Sequence, residues 1–443
     1  MKICILGAGI TGLTVARLLD SDGHNVTVLE KSSSIGGLCR SSVVEGFTSD
    51  HSGGHILFSK NERVLDWMLD QVGRDNVHRN NRNTRIRWHD RYVPYPFENG
   101  IGHLTPEAKF DCLRGYLDAA RARETEPCPS NFRDWVVWKM GRGFAEHFMF
   151  PYNQKLWECD LETMASAWVA GRVPDAPVDD ILKAAVGIET AGYTHQAIFY
   201  FPLRGGFQAL TDGVSRAIEQ HIRRETPVAS VRQTAEGWRV NDEEFDLVVN
   251  TIPLPELAPH VEGMPAPIAE DIAKLEPISL TNVLIGVRTD EPLPDLSWIY
   301  LPFDEQGPAN RVTFFSNYSP HNAPAGHGSY MAEVTHRGPL TITDAWKGDL
   351  LQALEGTGLL RRSDVTLTHH WQSRYAYIDQ NLEFADRIAR VRAWFDQSGL
   401  LTLGRFGRYE YHNSDQCIQR AFEAHAQIQK LAKSGIVTPF VFE

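Results

Sequence analysis

Cysteine is scarce and scattered in this chain. Six cysteines occur among 443 residues with no pair at CxxC spacing, which indicates reduced thiols rather than a disulfide framework. Long apolar runs are also missing, so we expect no transmembrane helix, and no metal site is predicted. Because the first predicted strand starts at residue 2, we expect no signal peptide and a cytoplasmic protein.

Positive charge is in short supply as well. Lysine and arginine total 44 against 56 acidic residues, which gives a formal net charge of -12. This balance argues against nucleic acid or an anionic membrane as a general partner. An anionic substrate would therefore have to be met by a local cluster of arginines. The length exceeds what one ordinary core holds and predicts two or three domains.

A dinucleotide-binding pattern occupies the first thirty residues. A short apolar run leads into a glycine turn at Gly7, Gly9 and Gly12, followed by an amphipathic segment, a second apolar run and Glu30. In such a unit the three glycines allow the tight turn, the approach of a pyrophosphate and close helix–strand packing. The helix N-terminus offers free N–H groups to phosphates. Glu30 would accept hydrogen bonds from a ribose hydroxyl.

The residues after Glu30 indicate which dinucleotide is bound. Gly36-Gly37 and Arg40 follow the acid at a spacing that is similar to the FAD-binding pattern of amine-oxidase-like flavoproteins. The two glycines would let the main chain lie along the ribityl-pyrophosphate, and Arg40 would supply positive charge. FAD is therefore the predicted cofactor, and NAD is the alternative.

Distant segments are predicted to return to the nucleotide-binding fold. Buried strands are expected at 245–252 and 399–404, and a helix at 415–433. We predict an α/β fold, with an FAD-binding Rossmann-like domain built from discontinuous segments, an inserted helical domain and an antiparallel β-sheet domain. The predicted boundaries are 1–104, 188–255 and 396–443 for the FAD-binding domain, 105–187 for the helical domain and 256–395 for the sheet domain.

Motifs along nearly the whole chain resemble those of the UDP-galactopyranose mutase family. They are SGGHILFS at 52–59, VPYPF at 93–97, PYNQKLW at 151–157, AW at 167–168, GRV at 171–173, FPLRGG at 201–206, Arg311 with FSNYSP at 315–320, and GRFG at 404–407 with Tyr411 and Asp415-Gln416. The FSNYSP segment is especially similar to the eukaryotic-type branch. The resemblance rests on the order and number of these motifs, since each alone is of moderate specificity.

The resemblance implies an isomerase that uses a redox cofactor without net redox chemistry. Its members interconvert pyranose and furanose forms of a nucleotide sugar, and UDP-galactopyranose to UDP-galactofuranose is the default reaction. In the family, N5 of reduced flavin displaces the nucleoside diphosphate, and the flavin–sugar adduct opens and recloses. FAD would thus be active when reduced, with NAD(P)H or another donor as reductant. A nucleotide-diphosphate sugar is the expected partner, and the assembly is left open between monomer and homodimer.

The resemblance also assigns roles to individual residues. A leaving diphosphate needs planar, permanently charged donors, and Arg172 and Arg311 match the two phosphate arginines of the family. His55 is the third predicted catalytic residue, through its main-chain carbonyl as much as its imidazole. The further predicted cofactor residues are Gly53, Gly54, Gly404, Arg405, Asp415 and Gln416. The further predicted substrate residues are Tyr95, Phe97, Glu98, Asn153, Trp157, Gln196, Trp298, Tyr300, Tyr318, Tyr377 and Tyr411.

Two departures from the family pattern leave the substrate open. Glu98 replaces a glutamine on the uridine side, and Gln196 replaces an asparagine near the sugar. A carboxylate only accepts hydrogen bonds, so it suits the two adjacent donors of guanine better than uracil. The alternatives are therefore a mutase for a GDP- or dTDP-linked sugar, or an FAD amine-oxidase or desaturase-like oxidoreductase. Arg172 and Arg311 argue against an apolar oxidase substrate, and a flavin-stabilised binding protein without catalysis is a third hypothesis.

Overall fold

The computed structural model describes residues 1–169, 177–188, 190 and 197–434. Its strands are β1 (Lys2–Leu6), β2 (Asn25–Leu29), β3 (Ser41–Val44), β4 (Phe47–Asp50), β5 (Val77–Asn81), β6 (Thr84–Trp88), β7 (Arg91–Pro94), β8 (Ile198–Pro202), β9 (Ile222–Arg223), β10 (Val231–Thr234), β11 (Gly237–Val240), β12 (Glu243–Phe245), β13 (Leu247–Asn250), β14 (Pro277–Arg288), β15 (Trp298–Tyr300), β16 (Arg311–Thr313), β17 (His327–His336), β18 (Val365–Ile378) and β19 (Leu401–Thr402). Its α-helices are α1 (Ile10–Ser21), α2 (Glu62–Val72), α3 (Pro106–Ala122), α4 (Phe132–Phe144), α5 (Phe150–Trp157), α6 (Val178–Ala185), α7 (Gln208–Ser215), α8 (Leu254–Leu257), α9 (Ala266–Ala273), α10 (Asp344–Gly356), α11 (Phe384–Ser398) and α12 (Ser414–Ser434).

A five-stranded parallel sheet carries the N-terminal pattern. Its strand order is β19-β13-β1-β2-β9, and every neighbouring pair in it is parallel. The central strands β1 and β13 are almost wholly buried, as expected of a parallel sheet covered on both faces. Leu13, Ala16 and Leu19 of α1 belong to the same apolar cluster as Ile5 of β1. The predicted strands at 245–252 and 399–404 are confirmed as β13 and β19.

A seven-stranded sheet forms the second layer. Its order is β18-β14-β17-β16-β15-β6-β7, and its pairs are antiparallel except β15 with β6. The long strands β14 and β17 are buried along most of their length. The predicted antiparallel sheet is thus confirmed, and with it the predicted α/β fold class. Strands β6 and β7 come from 84–94, inside the segment assigned to the FAD-binding domain, yet they extend this sheet. The predicted domain boundaries stay a prediction.

Helices α3 to α6 lie between β7 and β8 in the chain and form the predicted helical insert. Helix α3 begins at Pro106 because the Thr105 side chain accepts a hydrogen bond from the Ala108 N–H group. Gly141 has φ 81° inside α4, and a Cβ there would lie 2.2 Å from the carbonyl oxygen of Gly115. Glycine at both positions therefore allows the two helix backbones to meet. No helix among the described residues is both long and apolar enough to cross a membrane.

The helical insert is attached to the antiparallel sheet through α5. The Lys155 ammonium donates to the carbonyl oxygens of Leu301 and Phe303, at 2.9 and 3.0 Å. The Thr335 hydroxyl donates to the Lys155 carbonyl at 3.3 Å. Burial lowers the pKa of Lys155 to about 8. These contacts hold the PYNQKLW helix against the sheet that carries Arg311.

Candidate active site

One large cavity is bounded by both sheets. Its volume is about 2000 Å³, and its lining runs without interruption from the glycine turn of β1 to β16 and β18. It opens at the carboxyl ends of β1 and β2, which is where open α/β sheets bind their ligands. We call the side built by the parallel sheet and α12 the cofactor wall. The side built by the antiparallel sheet is the substrate wall.

The glycine turn forms the first part of the cofactor wall. Gly7 turns the chain with φ +97°, and a Cβ on Gly12 would lie 2.1 Å from the Gly7 carbonyl oxygen. A Cβ on Gly9, by contrast, would meet no atom within 4 Å. No side chain caps α1, so its first-turn N–H groups remain available at the cavity. Gly7 and Gly9 line the cavity, whereas Gly12 provides the close packing beneath it.

Glu30 lies at the carboxyl end of β2 and lines the cavity. Its two carboxylate oxygens accept hydrogen bonds from the N–H groups of Ala8, at 3.0 Å, and Ser32, at 2.9 Å. The backbone thereby fixes the carboxylate beside the glycine turn. Gly36 and Gly37 follow with φ +105° and +55°, a region that favours glycine.

Arg40 continues the cofactor wall after the two glycines. Its Nε donates to the Gly37 carbonyl at 3.1 Å, and its Nη1 donates to the Ser34 hydroxyl at 3.2 Å. Arg40, Gly36 and Gly37 all line the cavity. The segment predicted to lie along the pyrophosphate is therefore brought next to Glu30 and the first turn of α1.

The C-terminal segment completes the cofactor wall. Gly404, Arg405, Asp415 and Gln416 line the cavity, the last two in the first turn of α12. Burial raises the pKa of Asp415, against a hydrogen bond with Ser59 that lowers it.

Arg405 connects this segment to β18. Its guanidinium donates to the Ala376 carbonyl at 2.8 Å and to the His412 carbonyl at 2.8 Å. The same guanidinium lies 4.4 Å from the ring centre of Tyr411. Arg405 thus holds the end of β18 and the start of α12 around one side of the cavity.

These features fit an FAD molecule. The open space at Gly9 and the uncapped α1 N-terminus suit a pyrophosphate, and Glu30 suits a ribose hydroxyl. The cavity continues past both toward Gly54 and His55. It is therefore large enough to take a second ligand beside the cofactor.

Arg311 is a charged residue on the substrate wall. It stands on β16 opposite Glu333 of β17, and its Nε and Nη2 each donate to that carboxylate at 2.8 Å. The Arg311 side chain is 22% exposed and lines the cavity, whereas Glu333 is 1% exposed. Burial alone would lower the pKa of Arg311, but the adjacent Glu333 carboxylate raises it further, so the guanidinium stays charged.

Aromatic side chains surround Arg311. Of the predicted substrate residues, the structure brings the following to the cavity: Tyr95, Trp298, Tyr300, Tyr318, Tyr377 and Tyr411. Burial raises the pKa of Tyr318 and of Tyr377, which keeps both hydroxyls protonated at neutral pH. These hydroxyls can donate hydrogen bonds to an anion.

The predicted flavin loop lies between the two walls. Gly54 and His55 line the cavity, and the His55 ring stacks on Phe207 at 4.9 Å. The His55 N–H group donates to the Asp50 carboxylate at 3.3 Å. Gly53 does not line the cavity, because its Cα faces the Glu333 carboxyl group.

Four predicted substrate residues do not line the cavity: Asn153 and Trp157 lie in the helical insert, and Phe97 and Glu98 lie on a short turn that packs against it. Phe97 stacks on Phe148 at 4.8 Å, and Trp157 donates from its indole N–H to the Asn153 side chain at 3.1 Å. Glu98 is 7% exposed, and burial raises its pKa to about 7. Two further predictions, Arg172 and Gln196, lie outside the described residues.

Sequence reasoning missed two charged residues of the substrate wall. Arg82 lines the cavity with its guanidinium 4.7 Å from the ring centres of both Tyr95 and Trp298. Glu333 is the second, and it did carry a signal. It is the one acid in the apolar stretch 329–335, and a carboxylate in a buried strand requires a partner.

Together, four features define an FAD-binding flavoprotein of the α/β class: the parallel sheet, the glycine turn, Glu30 and the uncapped N-terminus of α1. Comparison with known families narrows this class further. The chain belongs to the flavin containing amine oxidoreductase family, whose model matches residues 10–378. No group of three or more potential metal ligands occurs among the described residues.

Two solved structures are similar to this chain over nearly its whole length. A crystal structure of reduced UDP-galactopyranose mutase has a TM-score of 0.88 and 27% sequence identity, covering 98% of this chain and 97% of that one. A putative protoporphyrinogen oxidase from Exiguobacterium sp. 255-15 has a TM-score of 0.74 at 17% identity, covering 97% and 98%. The second likeness concerns the fold alone.

A curated relative matches only a short segment. The 4,4'-diapophytoene desaturase of Staphylococcus aureus is 46% identical over 50 residues, which is 11% of this chain and 10% of the desaturase. The match therefore says little about the parts of the chain that would bind a substrate.

Proposed function

We propose that the protein is a flavin-dependent nucleotide-sugar mutase that interconverts pyranose and furanose forms, with UDP-galactopyranose as the default substrate. The observation that carries this proposal is a charged arginine, Arg311, among tyrosine hydroxyls in the cavity that fits FAD. The similarity to reduced UDP-galactopyranose mutase at 27% identity supports it. The sequence motifs of the eukaryotic-type branch point the same way.

The proposed reaction requires three contributions from the protein's own side chains. A nucleoside diphosphate must be bound, its negative charge must be stabilised as the sugar bond breaks, and water must be kept out. Arg311 supplies a permanent positive charge, and the hydroxyls of Tyr318 and Tyr377 supply neutral donors. When bound and reduced, FAD supplies a nitrogen nucleophile in its ring system. We assign Arg172 a second phosphate contact on sequence grounds.

An oxidoreductase of the amine-oxidase or desaturase kind is the second candidate. The family membership and the desaturase match favour it. An apolar isoprenoid, however, would leave the guanidinium of Arg311 without a partner beyond Glu333 in the cavity. Glu333 accepts two of the N–H groups of Arg311, and an apolar ligand would offer no acceptor to the others, so the mutase is the better-supported proposal.

The experiment that separates these candidates is a substrate panel. Purified enzyme, reduced with dithionite under nitrogen, is offered UDP-, GDP- and dTDP-sugars, and products are separated by chromatography. A mutase converts one nucleotide class from pyranose to furanose without change in mass. In a parallel reaction, oxidised enzyme is offered an amine or an isoprenoid in air, because an oxidase or desaturase needs oxidised flavin and an electron acceptor. Hydrogen peroxide or a desaturated product there, with every nucleotide sugar unchanged under nitrogen, would contradict the proposal. Arg390→Ala, which removes a surface arginine paired with Asp271, is the control for handling.

A further inference from the structure

One buried carboxylate on β17 serves both the flavin loop and the substrate arginine. Glu333 accepts two hydrogen bonds from Arg311, at 2.8 Å each. Its Oε1 also accepts the N–H group of Gly54, at 3.1 Å. Arg311 and Gly54 both line the cavity, whereas Glu333 is 1% exposed and lies behind them.

The loop is shaped to make this contact. Gly53 has φ +88°, and a Cβ there would lie 2.9 Å from the carboxyl carbon of Glu333. Any other residue at this position would therefore push the carboxylate and the loop apart. Close approach of Gly53 is what lets the next peptide N–H reach Glu333.

The three bonds share one carboxylate, and together they satisfy its charge. A diphosphate that binds Arg311 is also an acceptor with more than one negative charge, so it competes with Glu333 for the guanidinium. Each N–H group that turns toward phosphate weakens the hold of Arg311 on Glu333. The carboxylate then depends more on the Gly54 N–H group, because a buried charge without donors is strongly disfavoured.

We infer that Glu333 is a positioning residue that couples diphosphate binding at Arg311 to the flavin-facing loop at Gly53–His55. The inference rests on the proposed function, since it requires a nucleoside diphosphate at Arg311. Coupling between two sites is reciprocal. The redox state of bound FAD therefore changes the affinity for diphosphate, and diphosphate changes the midpoint potential of the flavin by the matching amount.

The test measures both sides of this cycle with UDP as the probe. The dissociation constant of UDP is measured for oxidised and for dithionite-reduced enzyme, and the flavin midpoint potential with and without saturating UDP. In the wild type we expect the two dissociation constants to differ by about fivefold or more. At about 30 mV per decade for a two-electron couple, that ratio corresponds to a shift of about 20 mV or more.

Glu333→Gln keeps the shape of the side chain and removes its charge. We expect this variant to bind FAD and UDP, but the ratio between redox states should fall to less than about twofold. Glu333→Asp keeps the charge but shortens the side chain by one methylene. Its ratio of UDP dissociation constants should lie between those of the wild type and Glu333→Gln, and it replaces the glutamine variant in the test if that variant folds poorly. Asp379→Asn removes the carboxylate of another arginine pair, with Arg337, away from the cavity, and should keep the wild-type ratio.

Hydrogen exchange gives a readout that needs no turnover. Saturating UDP should change the exchange rate of the amides at 53–55 in the wild type and leave it unchanged in Glu333→Gln. Equal UDP affinity in the two redox states of the wild type overturns the coupling while the proposed function stands. A wild-type ratio retained in Glu333→Gln also overturns it. Failure of the wild type to bind UDP, GDP or dTDP in either state overturns both the inference and the proposed function.

Discussion

The two walls of the cavity differ in the chemical groups that they present to a ligand. The cofactor wall presents backbone groups, from the glycine turn and the uncapped first turn of α1, together with the side chains of Glu30, Arg40, Arg405 and Asp415. The substrate wall is mostly side chains: Arg311, paired with Glu333, and the hydroxyls of Tyr318 and Tyr377.

This difference predicts how each wall responds to substitution. Backbone donors survive most side-chain changes, so FAD binding should weaken by degrees. A substrate wall made of a few polar and charged groups should lose activity sharply when one is removed, because the negative charge on the diphosphate increases as the sugar bond breaks. The two walls should therefore be separable by mutation.

The largest expected effect is a loss of activity without a loss of FAD, on removal of either arginine assigned to the diphosphate. Arg311→Ala and Arg172→Ala should each lower kcat/KM by about two to four decades. A charge-assisted hydrogen bond is worth roughly 1.5–3 kcal/mol, and lost transition-state stabilisation adds about one to two decades. FAD content, measured by absorbance, should stay at about one per chain. Arg311→Ala should also lower the thermal midpoint, since it leaves Glu333 buried without its partner.

Arg390→Ala is the matched control for this pair, because its guanidinium forms a surface ion pair with Asp271 away from the cavity. Surface pairs contribute about 0–1 kcal/mol, so its activity should stay within a few-fold of wild type. Near-wild-type turnover in either of the two variants would assign that arginine to structure and contradict the proposed role of arginine in diphosphate binding.

A second prediction concerns Glu98, which lies outside both walls on the turn that packs against the helical insert. Burial raises the pKa of Glu98 to about 7 from 4.5, so the folded state keeps its proton at pH values where the unfolded state loses it. Stability from this group is therefore greatest at low pH and is lost as pH rises from about 4.5 to 7, by about 3 kcal/mol. Glu98→Gln should be more stable than wild type at pH 8. The advantage, followed by thermal unfolding, should shrink toward pH 4.5, and a pH-independent difference would contradict it.

A smaller effect is expected on the cofactor wall. Glu30→Ala should weaken FAD binding by about ten- to a hundredfold, the loss of one hydrogen bond to a charged acceptor. Retained FAD after dialysis and its dissociation constant by fluorescence provide the measurement. Glu62→Ala, an exposed acid at the start of α2, is the control and should keep its flavin. A colourless wild-type protein that takes up NAD instead would refute the cofactor assignment.

The smallest effect concerns the nucleobase. If Glu98 reads the base, Glu98→Gln should shift preference toward UDP over GDP by about 1 kcal/mol, the low end for one such pair. With a pKa of about 7, the acid is partly protonated near neutrality, and a carboxylic acid both donates and accepts as an amide does. The shift should therefore be larger at pH 8 than at pH 6. An unchanged UDP/GDP ratio at both pH values would leave UDP-galactopyranose as the default.

The contrast between the walls also explains what the sequence could reveal. The β1 turn, Glu30 and α12 are contiguous patterns whose geometry follows from glycine and periodicity, so they were predictable. The pairing of β6 and β7 with the antiparallel sheet is non-local, and no local signal marks it. The pairing of Arg311 with Glu333 is also non-local, since the two residues are 22 positions apart and on different strands.

The helical insert and the turn at 97–99 that packs against it were the hardest parts to predict. Family-like motifs suggested a ligand role for Phe97, Glu98, Asn153 and Trp157, but a motif does not reveal whether a side chain points to a cavity or to a core. The structure packs Phe97 against Phe148 and bonds Trp157 to Asn153. Their assignment to substrate binding remains a prediction.

The central claim is that this flavoprotein isomerises its substrate without consuming electrons. The most direct measurement reduces the enzyme under nitrogen with one equivalent of dithionite per flavin and then counts product molecules formed per flavin. The account predicts many turnovers from that single reduction, no peroxide, and no activity in the oxidised enzyme. One product per equivalent of reductant, or equal turnover by oxidised enzyme in air with stoichiometric peroxide, would contradict it.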